Sequence, residues 1–421
     1  MALYTTDWIR QHKHLLDLPL RKGLRRASPQ TKKENARYPV IVQFKKKTLP
    51  STIQSCKKQW GPSSFIAARR LGIIKAISGT ATLSCLQKMC ESKHVERIYL
   101  NQKAKMSLDV AAPSVGLTKS TTNRFTGKGV TIAILDTGIY PHPDLKGRII
   151  AFRDIIRKRT KPYDDNGHGT HVAGCAAGYG NNSKGKVARR FIGAAPHAKL
   201  VGVKVLAKDG QGNFDDIIAG VQWCIRNRKK YGIRVLNLSL GAEPLSHNKN
   251  DPLCQAVARA VRVGLVTVVC AGNNGPNRRT IYTPGICPTA ITVGATDDRN
   301  KLKQTAHKIA RFSSRGPSIY GQLKPDLVAP GVNITSLRAP GSFLDRELVR
   351  HRVGRWYFTL SGCSMSTPLV AGTVACMLEE NTKLTPRQVK SRLLQHTVHL
   401  VKTNRYAQGN GELNARFLKK K

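Results

Sequence analysis

From residue 130 onward the chain reads as short, near-continuous apolar runs separated by longer stretches whose apolar positions return at helical spacing. The runs are VTIAIL (130–135), KLVGVKVL (199–206), IRVLNLSL (233–240), LVTVVCAG (265–272) and AITVGAT (290–296). Runs of this kind suit parallel strands covered on both faces. Between and after them, THVAGCAAGY (170–179), DDIIAGVQWCIRNRKKY (215–231), DPLCQAVARAVRVG (251–264), STPLVAGTVACMLEENT (366–382) and PRQVKSRLLQH (386–396) predict helices. The alternation predicts an α/β domain with a doubly wound, mostly parallel sheet over residues 127–418.

Before residue 130 the pattern differs. YPVIVQF (38–44) predicts a strand, helical text follows near 50–70, and LGIIKAI (71–77) predicts a second strand. ATLSCLQKMCES (81–92) then predicts a helix and VERIYL (95–100) a third strand. Residues 36–105 therefore read as a small α+β domain. Residues 1–35 are polar and basic, a lead expected to be poorly ordered. Residues 106–126 read as a linker, and no internal repeat is visible.

Composition excludes several classes. With 421 residues, 40% hydrophobic and 23% charged, the chain can bury a large core and is not wholly disordered. No stretch approaches the roughly 18 apolar residues of a membrane helix. The N-terminus has no apolar segment ahead of a cleavage site, so a cytoplasmic protein is expected, with lysis as a route of release. Ten cysteines without C-x-x-C or zinc spacing fit reduced, buried thiols.

Charge changes the picture more. Lys+Arg total 71 against 24 Asp+Glu, a net of +47. Residues 1–105 carry 22 basic and 5 acidic side chains and the remainder 49 and 19, so the excess is spread along the chain. Such a field favours polyanions and acidic proteins. No helix-turn-helix, RRM or zinc-finger signature is present, so no specific nucleic-acid partner is expected.

Three islands carry candidate chemistry. ILDTGI (134–139) puts Asp136 at the carboxyl end of a buried strand, where active residues of open α/β sheets collect. DDNGHGTHVAG (164–174) sets His168 at a Gly-flanked turn entering a helix. LSGCSMSTPLVAG (360–372) places Ser364 at the start of an apolar helix, where the dipole favours developing negative charge. A serine hydroxyl needs a base to take its proton, histidine suits neutral pH, and a carboxylate holds the imidazole in one tautomer. VVCAGNNGP (268–276) adds the amide of Asn273, a suitable oxyanion donor. A lone D-T-G also fits an aspartic protease, but that needs two such aspartates. His168 and His171 lack a third ligand and an HExxH context, so no metal site is expected and His171 reads as structural.

At these residues the sequence resembles the subtilisin-like serine proteases. It carries D-T-G, G-H-G-T-H-V-A-G, A-G-N and G-x-S-M-x-x-P in the family's order, with NLSLG (237–241), SSRGP (313–317) and KPDLVAPG (324–331) between. The resemblance implies a serine endopeptidase with Asp136, His168 and Ser364 as its triad, passing through an acyl-enzyme, and Asn273 at the oxyanion. It implies one channel wall at Ser239, Leu240 and Gly241, and a second strand at Gly210 and Gly212 with Phe214 at a pocket mouth. Cys270, Ala271 and Gly272 would line the primary specificity pocket, with Tyr282 near its floor. Cys363 stands where the family usually has Thr, a weaker donor beside the oxyanion. Residues 36–105 would be an intramolecular inhibitor and folding aid whose tail lies in the channel and is cut near Lys105. Protein or peptide substrates, action as a monomer and no required cofactor are expected. The family's calcium loop is matched only in part by NNSKG (181–185), where Lys184 and Lys186 oppose a cation.

Overall fold

The alternation of side chains along the first strand explains how the two parts of the chain meet. The computed structural model describes residues 7–26, 36–45, 47–101, 103–105, 125–182, 191–244, 250–299 and 301–418. Two short helices, α1 (Asp7–Gln11) and α2 (Leu18–Arg26), precede a four-stranded antiparallel sheet. It consists of β1 (Arg37–Phe44), β2 (Phe65–Leu71), β3 (Ala76–Thr82) and β4 (Val95–Leu100), in the order β2-β3-β1-β4. Helices α3 (Pro50–Trp60) and α4 (Leu83–Glu91) complete the unit. Val40, Val42 and Phe44 join Trp60, Leu86 and Met89 in one apolar cluster. Ile41, on the opposite face, joins Leu71, Ile74 and Tyr99 in a cluster shared with the large domain. Period-two geometry thus gives the sheet two buried faces.

Two expectations are corrected here. The described part of the lead is ordered: Ile9, Leu16, Leu20 and Leu24 are buried in the small unit's own cluster. Leu20 and Leu24 lie four apart on α2, a helical stripe hidden by the arginines and lysines around it, and Leu16 bridges Ile98 just before the helix. The Asp17 carboxylate accepts from Leu20 N (2.9 Å) and Leu100 N (3.3 Å), tying the lead to the end of β4. Burial pushes this carboxyl up to about 7. The helical reading near 50–70 also fails in its second half. Gly61, at φ +79°, ends α3, and β2 pairs with β3 as a hairpin, giving four strands. The proposed linker lies outside the described residues over 106–124.

After β5 (Lys103–Lys105) the large domain starts with β6 (Thr131–Asp136) and β7 (Ile149–Asp154), followed by α5 (His168–Ala177). Next come β8 (Lys199–Lys204), β9 (Gln211–Asn213), α6 (Phe214–Asn227) and β10 (Ile233–Leu238). Then follow α7 (Pro252–Arg262), β11 (Val266–Cys270), β12 (Ile291–Asp297), β13 (Lys308–Ile309) and β14 (Leu327–Pro330). The central sheet runs β7-β8-β6-β10-β11-β12, all parallel, with β14 parallel and β13 antiparallel to β12. A small antiparallel sheet, β15 (Ile334–Leu337), β16 (Arg352–Val353) and β17 (Tyr357–Leu360), flanks the short helix α8 (Phe343–Glu347) in sequence. It leads into α9 (Cys363–Glu380) and α10 (Pro386–Gln395).

On β6, Ile132 and Ile134 pack with residues of α5 and α9, whereas Ala133 and Leu135 pack with residues of α6 and α7. The sheet is therefore wound on both sides. The small unit sits outside α6 and α7, where Gln43 Nε2 donates to Gln255 Oε1 (2.6 Å) and Ile73 N to Gln222 Oε1 (3.1 Å). All ten cysteines are buried and free.

Candidate active site

β6 lies between β8 and β10, so the chain leaves its carboxyl end toward one half of the sheet and later returns to the other. Open α/β sheets form their crevice at such a switch point, and Asp136 is the last residue of β6. The turn after it is held by three polar groups. Lys204, 1% exposed at the end of β8, donates to Thr137 O (2.7 Å), Leu206 O (2.8 Å) and Asp165 Oδ1 (2.7 Å). Asp164 accepts from Thr137 Oγ1 through one oxygen and from Thr170 N and Oγ1 through the other. Thr137 Oγ1 accepts in turn from Gly169 N (2.9 Å). This brings α5 so close that a Cβ at Gly169 would lie 2.1 Å from Gly138 O. Glycine is required there by contact.

The clasp fixes His168 against Asp136, with Nδ1 2.7 Å from Asp136 Oδ1 and both side chains fully buried. Asp136 Oδ1 also accepts from Thr137 N at 2.8 Å. The carboxylate therefore selects the tautomer with its proton on Nδ1. His168 Nε2, also buried, has no hydrogen-bond partner. A buried nitrogen with a free lone pair is costly unless a reaction uses it. His171 contrasts with it. Its Nε2 is 3.0 Å from both Ile334 O and Phe358 O, and burial pushes its pKa down to about 3, so it is a neutral brace for the small sheet.

Ser364 is the second residue of α9 and fully buried. Its Oγ donates to Ser239 O (3.0 Å), while Ser239 Oγ donates to Ser364 O (2.8 Å). Ser364 is thus locked to the residue after β10 that carries the first expected channel wall, and its hydroxyl makes no hydrogen bond to His168. The first turn of α9 leaves backbone donors without intrahelical acceptors. One, Cys363 N, donates to Asn273 Oδ1 (3.1 Å), which turns the amide so that Nδ2 is the end left to donate. The Cys363 thiol points elsewhere, donating to Gly272 O (3.0 Å); burial pushes it up to about 12. It is a packing group under the site. Ser366 Oγ donates to Ala329 O (2.9 Å), tying the same turn to β14.

The other sequence-predicted residues surround this centre. Cys270 Sγ donates to Leu240 O (3.3 Å), Ala271 is buried, and Gly241 lies where a Cβ would be 2.7 Å from Thr283 O. Tyr282 covers Gly272, whose Cβ would sit 2.6 Å from the ring. The Tyr282 hydroxyl donates to Asn274 Oδ1 (2.8 Å), and Asn274 Nδ2 to Glu243 Oε1 (3.0 Å). Phe214 is 1% exposed and packed with Leu206, Ile217 and Ile218. Gly212 pairs antiparallel with Ala104, so the strand holding Gly212 carries the tail of the small unit as β5. Asn182 bonds to Asp144 Oδ1 through its backbone N and Nδ2, and residues 183–185 of the partial calcium-loop match lie outside the described residues.

Sequence reading missed Lys204, Asp164 and the Asn101–Asp215 contact described below. A lysine ending an apolar run reads as solvent-facing. Its only signal is that KLVGVKVL continues apolar on both sides of it.

Comparison with known proteins adds the following. Residues 127–415 match the model of the subtilase family of S8 peptidases. The chain is 45% identical over 354 residues to serine protease AprX of Bacillus subtilis, covering 82% of this chain and 79% of that one. It is 38% identical over 290 residues to subtilisin BL of Lederbergia lenta, covering 69% and 90%. Among solved structures it resembles fervidolysin of Fervidobacterium pennivorans, with TM-score 0.72 and 23% identity. That match covers 91% of this chain and 60% of the other, and supports the fold alone.

Proposed function

The chain belongs to the subtilase family and is a serine endopeptidase, and from that premise we propose that Asp136, His168 and Ser364 form its triad and that it is made as a self-processed zymogen. A rotation about the Cα–Cβ bond carries Ser364 Oγ from Ser239 O toward His168 Nε2. As Oγ bonds to the scissile carbonyl carbon, its proton passes to Nε2. Asp136 stabilises the imidazolium through Nδ1–H. The oxyanion accepts from Asn273 Nδ2 and Ser364 N–H. Collapse breaks the C–N bond and the departing amine takes the proton from Nε2, leaving an acyl-enzyme. Water repeats the sequence and frees the acid. The observation that carries the reading is the buried His168, held by Asp136 at one nitrogen and without a partner at the other.

Asn273→Ala should lower kcat by roughly 10²–10³ with little change in KM, the magnitude found on removing the corresponding donor of a subtilisin. Steady-state kinetics on a peptide anilide check it; an unchanged kcat would place the oxyanion elsewhere.

Residues 36–105 act in this reading as inhibitor and folding aid. Support comes from the Ala104–Gly212 pairing, which occupies a strand expected to bind substrate. N-terminal sequencing of active enzyme tests it, with a new terminus expected near Lys105. Full activity from a chain that still begins at Met1 would overturn the zymogen reading.

A further inference from the structure

β5 and β9 are in antiparallel register, with Lys103 opposite Asn213, Ala104 opposite Gly212 and Lys105 opposite Gln211. β9 ends at Asn213, and Asp215 lies just beyond it in the first turn of α6, where it meets Asn101. Asn101 Nδ2 donates to Asp215 Oδ1 (2.9 Å), and Asp215 N donates to Asn101 Oδ1 (3.2 Å). Asn101 is anchored on its other side by its own N–H, which donates to Pro39 O (2.9 Å). Within the large domain, Asp216 N donates to Asp215 Oδ1 (3.1 Å) and Asn213 Nδ2 to Asp216 Oδ2 (3.4 Å); two more donors to this corner come from the small unit. Ser78 Oγ donates to Asp215 Oδ2 (2.8 Å), and Arg69 reaches Asp216 Oδ1 (2.5 Å) and Asp215 Oδ2 (3.8 Å). Asp215 and Asp216 are 5% and 6% exposed in this state. Departure of the small unit takes Asn101, Ser78 and Arg69 away together and leaves two carboxylates in the first turn of α6, directly after the strand that holds Gly212.

We infer that Asp215, supported by Asp216, forms a subsite that selects an amide or cationic side chain (Asn, Lys or Arg) on the substrate residue three before the one opposite Gly212. This rests on the channel reading above, in which the tail of the small unit occupies the place of substrate. Asn101 is then the first occupant and shows the chemistry taken. A carboxylate accepts from an amide or guanidinium and repels a second carboxylate. The position is set by the adjoining β5–β9 pairing, because a one-residue slip there turns every strand side chain to the opposite face and shifts Asn101 off Asp215. The preference therefore falls on one position and not on basic peptides in general. It opposes the chain's overall field, which attracts acidic peptides.

The test uses mature enzyme and four fluorogenic peptides built on the chain's own segment NQKAKMS (101–107), with Asn, Arg, Ala or Asp at the first position. Hydrogen bonds to a charged group support kcat/KM for Asn and Arg roughly tenfold above Ala, with Asp lower still, the differences lying in KM. In Asp215→Asn enzyme the Arg advantage should fall to within about twofold of Ala. Equal kcat/KM for all four peptides, or a preference for Asp, overturns the subsite and leaves the protease reading intact. Cleavage of none of them, by enzyme that hydrolyses casein, overturns the channel placement itself. Varying the peptide keeps the answer independent of whether the variant folds.

Discussion

Ser364→Ala enzyme should lose on the order of 10⁶ in kcat, the loss measured for the triad serine of a subtilisin, while remaining folded. The fold survives because Ser364 Oγ makes one hydrogen bond, to Ser239 O, and alanine fills the rest of the same buried space. Three readouts should move together. Casein hydrolysis disappears, labelling by a fluorophosphonate probe disappears, and the chain persists at its full 46.3 kDa because it no longer cuts its own tail. Persistence of probe labelling would assign the nucleophile to another hydroxyl. Normal shortening with hydrolysis lost would show that another protease removes the small unit. Circular dichroism separates both outcomes from misfolding.

The next largest effect is expected from Asp136→Asn, roughly 10⁴ in kcat, by comparison with triad aspartates of other serine proteases. Asp136 Oδ1 accepts from His168 Nδ1 and from Thr137 N. An asparagine oxygen can keep one of these contacts, but its NH₂ presented to Nδ1 selects the opposite tautomer and places the ring proton on Nε2. The base is then blocked by its own proton. KM should change little, because Asp136 is fully buried behind His168 and does not touch the peptide. A kcat within tenfold of wild type, measured on peptide anilides, would show that His168 is held in place by the Asp164–Thr137 clasp and not by Asp136.

Much of this was legible in the amino-acid order, for physical reasons. The central strands are buried on both faces, so IAIL, VVC and ITVGA appear as unbroken apolar text. A glycine lies within two residues of each of Asp136, His168 and Ser364, and at Gly138 and Gly169 it is there because backbone passes backbone at contact distance. What sequence hides is whatever depends on a distant partner. β2, FIAARRL at the sheet edge, lacks an apolar–polar alternation, with Ile66 exposed and Arg69 and Arg70 adjacent, and reads as helix until its pairing with β3 is seen. Asp215 and Asp216 look like ordinary acids in the first turn of a helix, and the asparagine that Asp215 meets lies 114 residues away. The Ser364 rotamer is likewise set by Ser239 O, 125 residues away, and no local pattern encodes it.

The ten buried thiols make the chain its own gauge of opening. Burial holds Cys85, Cys90 and Cys175 at about 11, 12 and 12, so at neutral pH these sulfurs are protonated as well as enclosed. An alkylating reagent reaches them only when the structure around them separates, and its rate then reports the free energy of that separation. The sulfurs are distributed to distinguish regions. Cys56, Cys85 and Cys90 sit inside the small unit, whereas Cys175 and Cys376 sit between α5, α9 and the sheet. Mass spectrometry of the order in which cysteines become modified would rank the two units by stability in the intact chain, without an introduced probe.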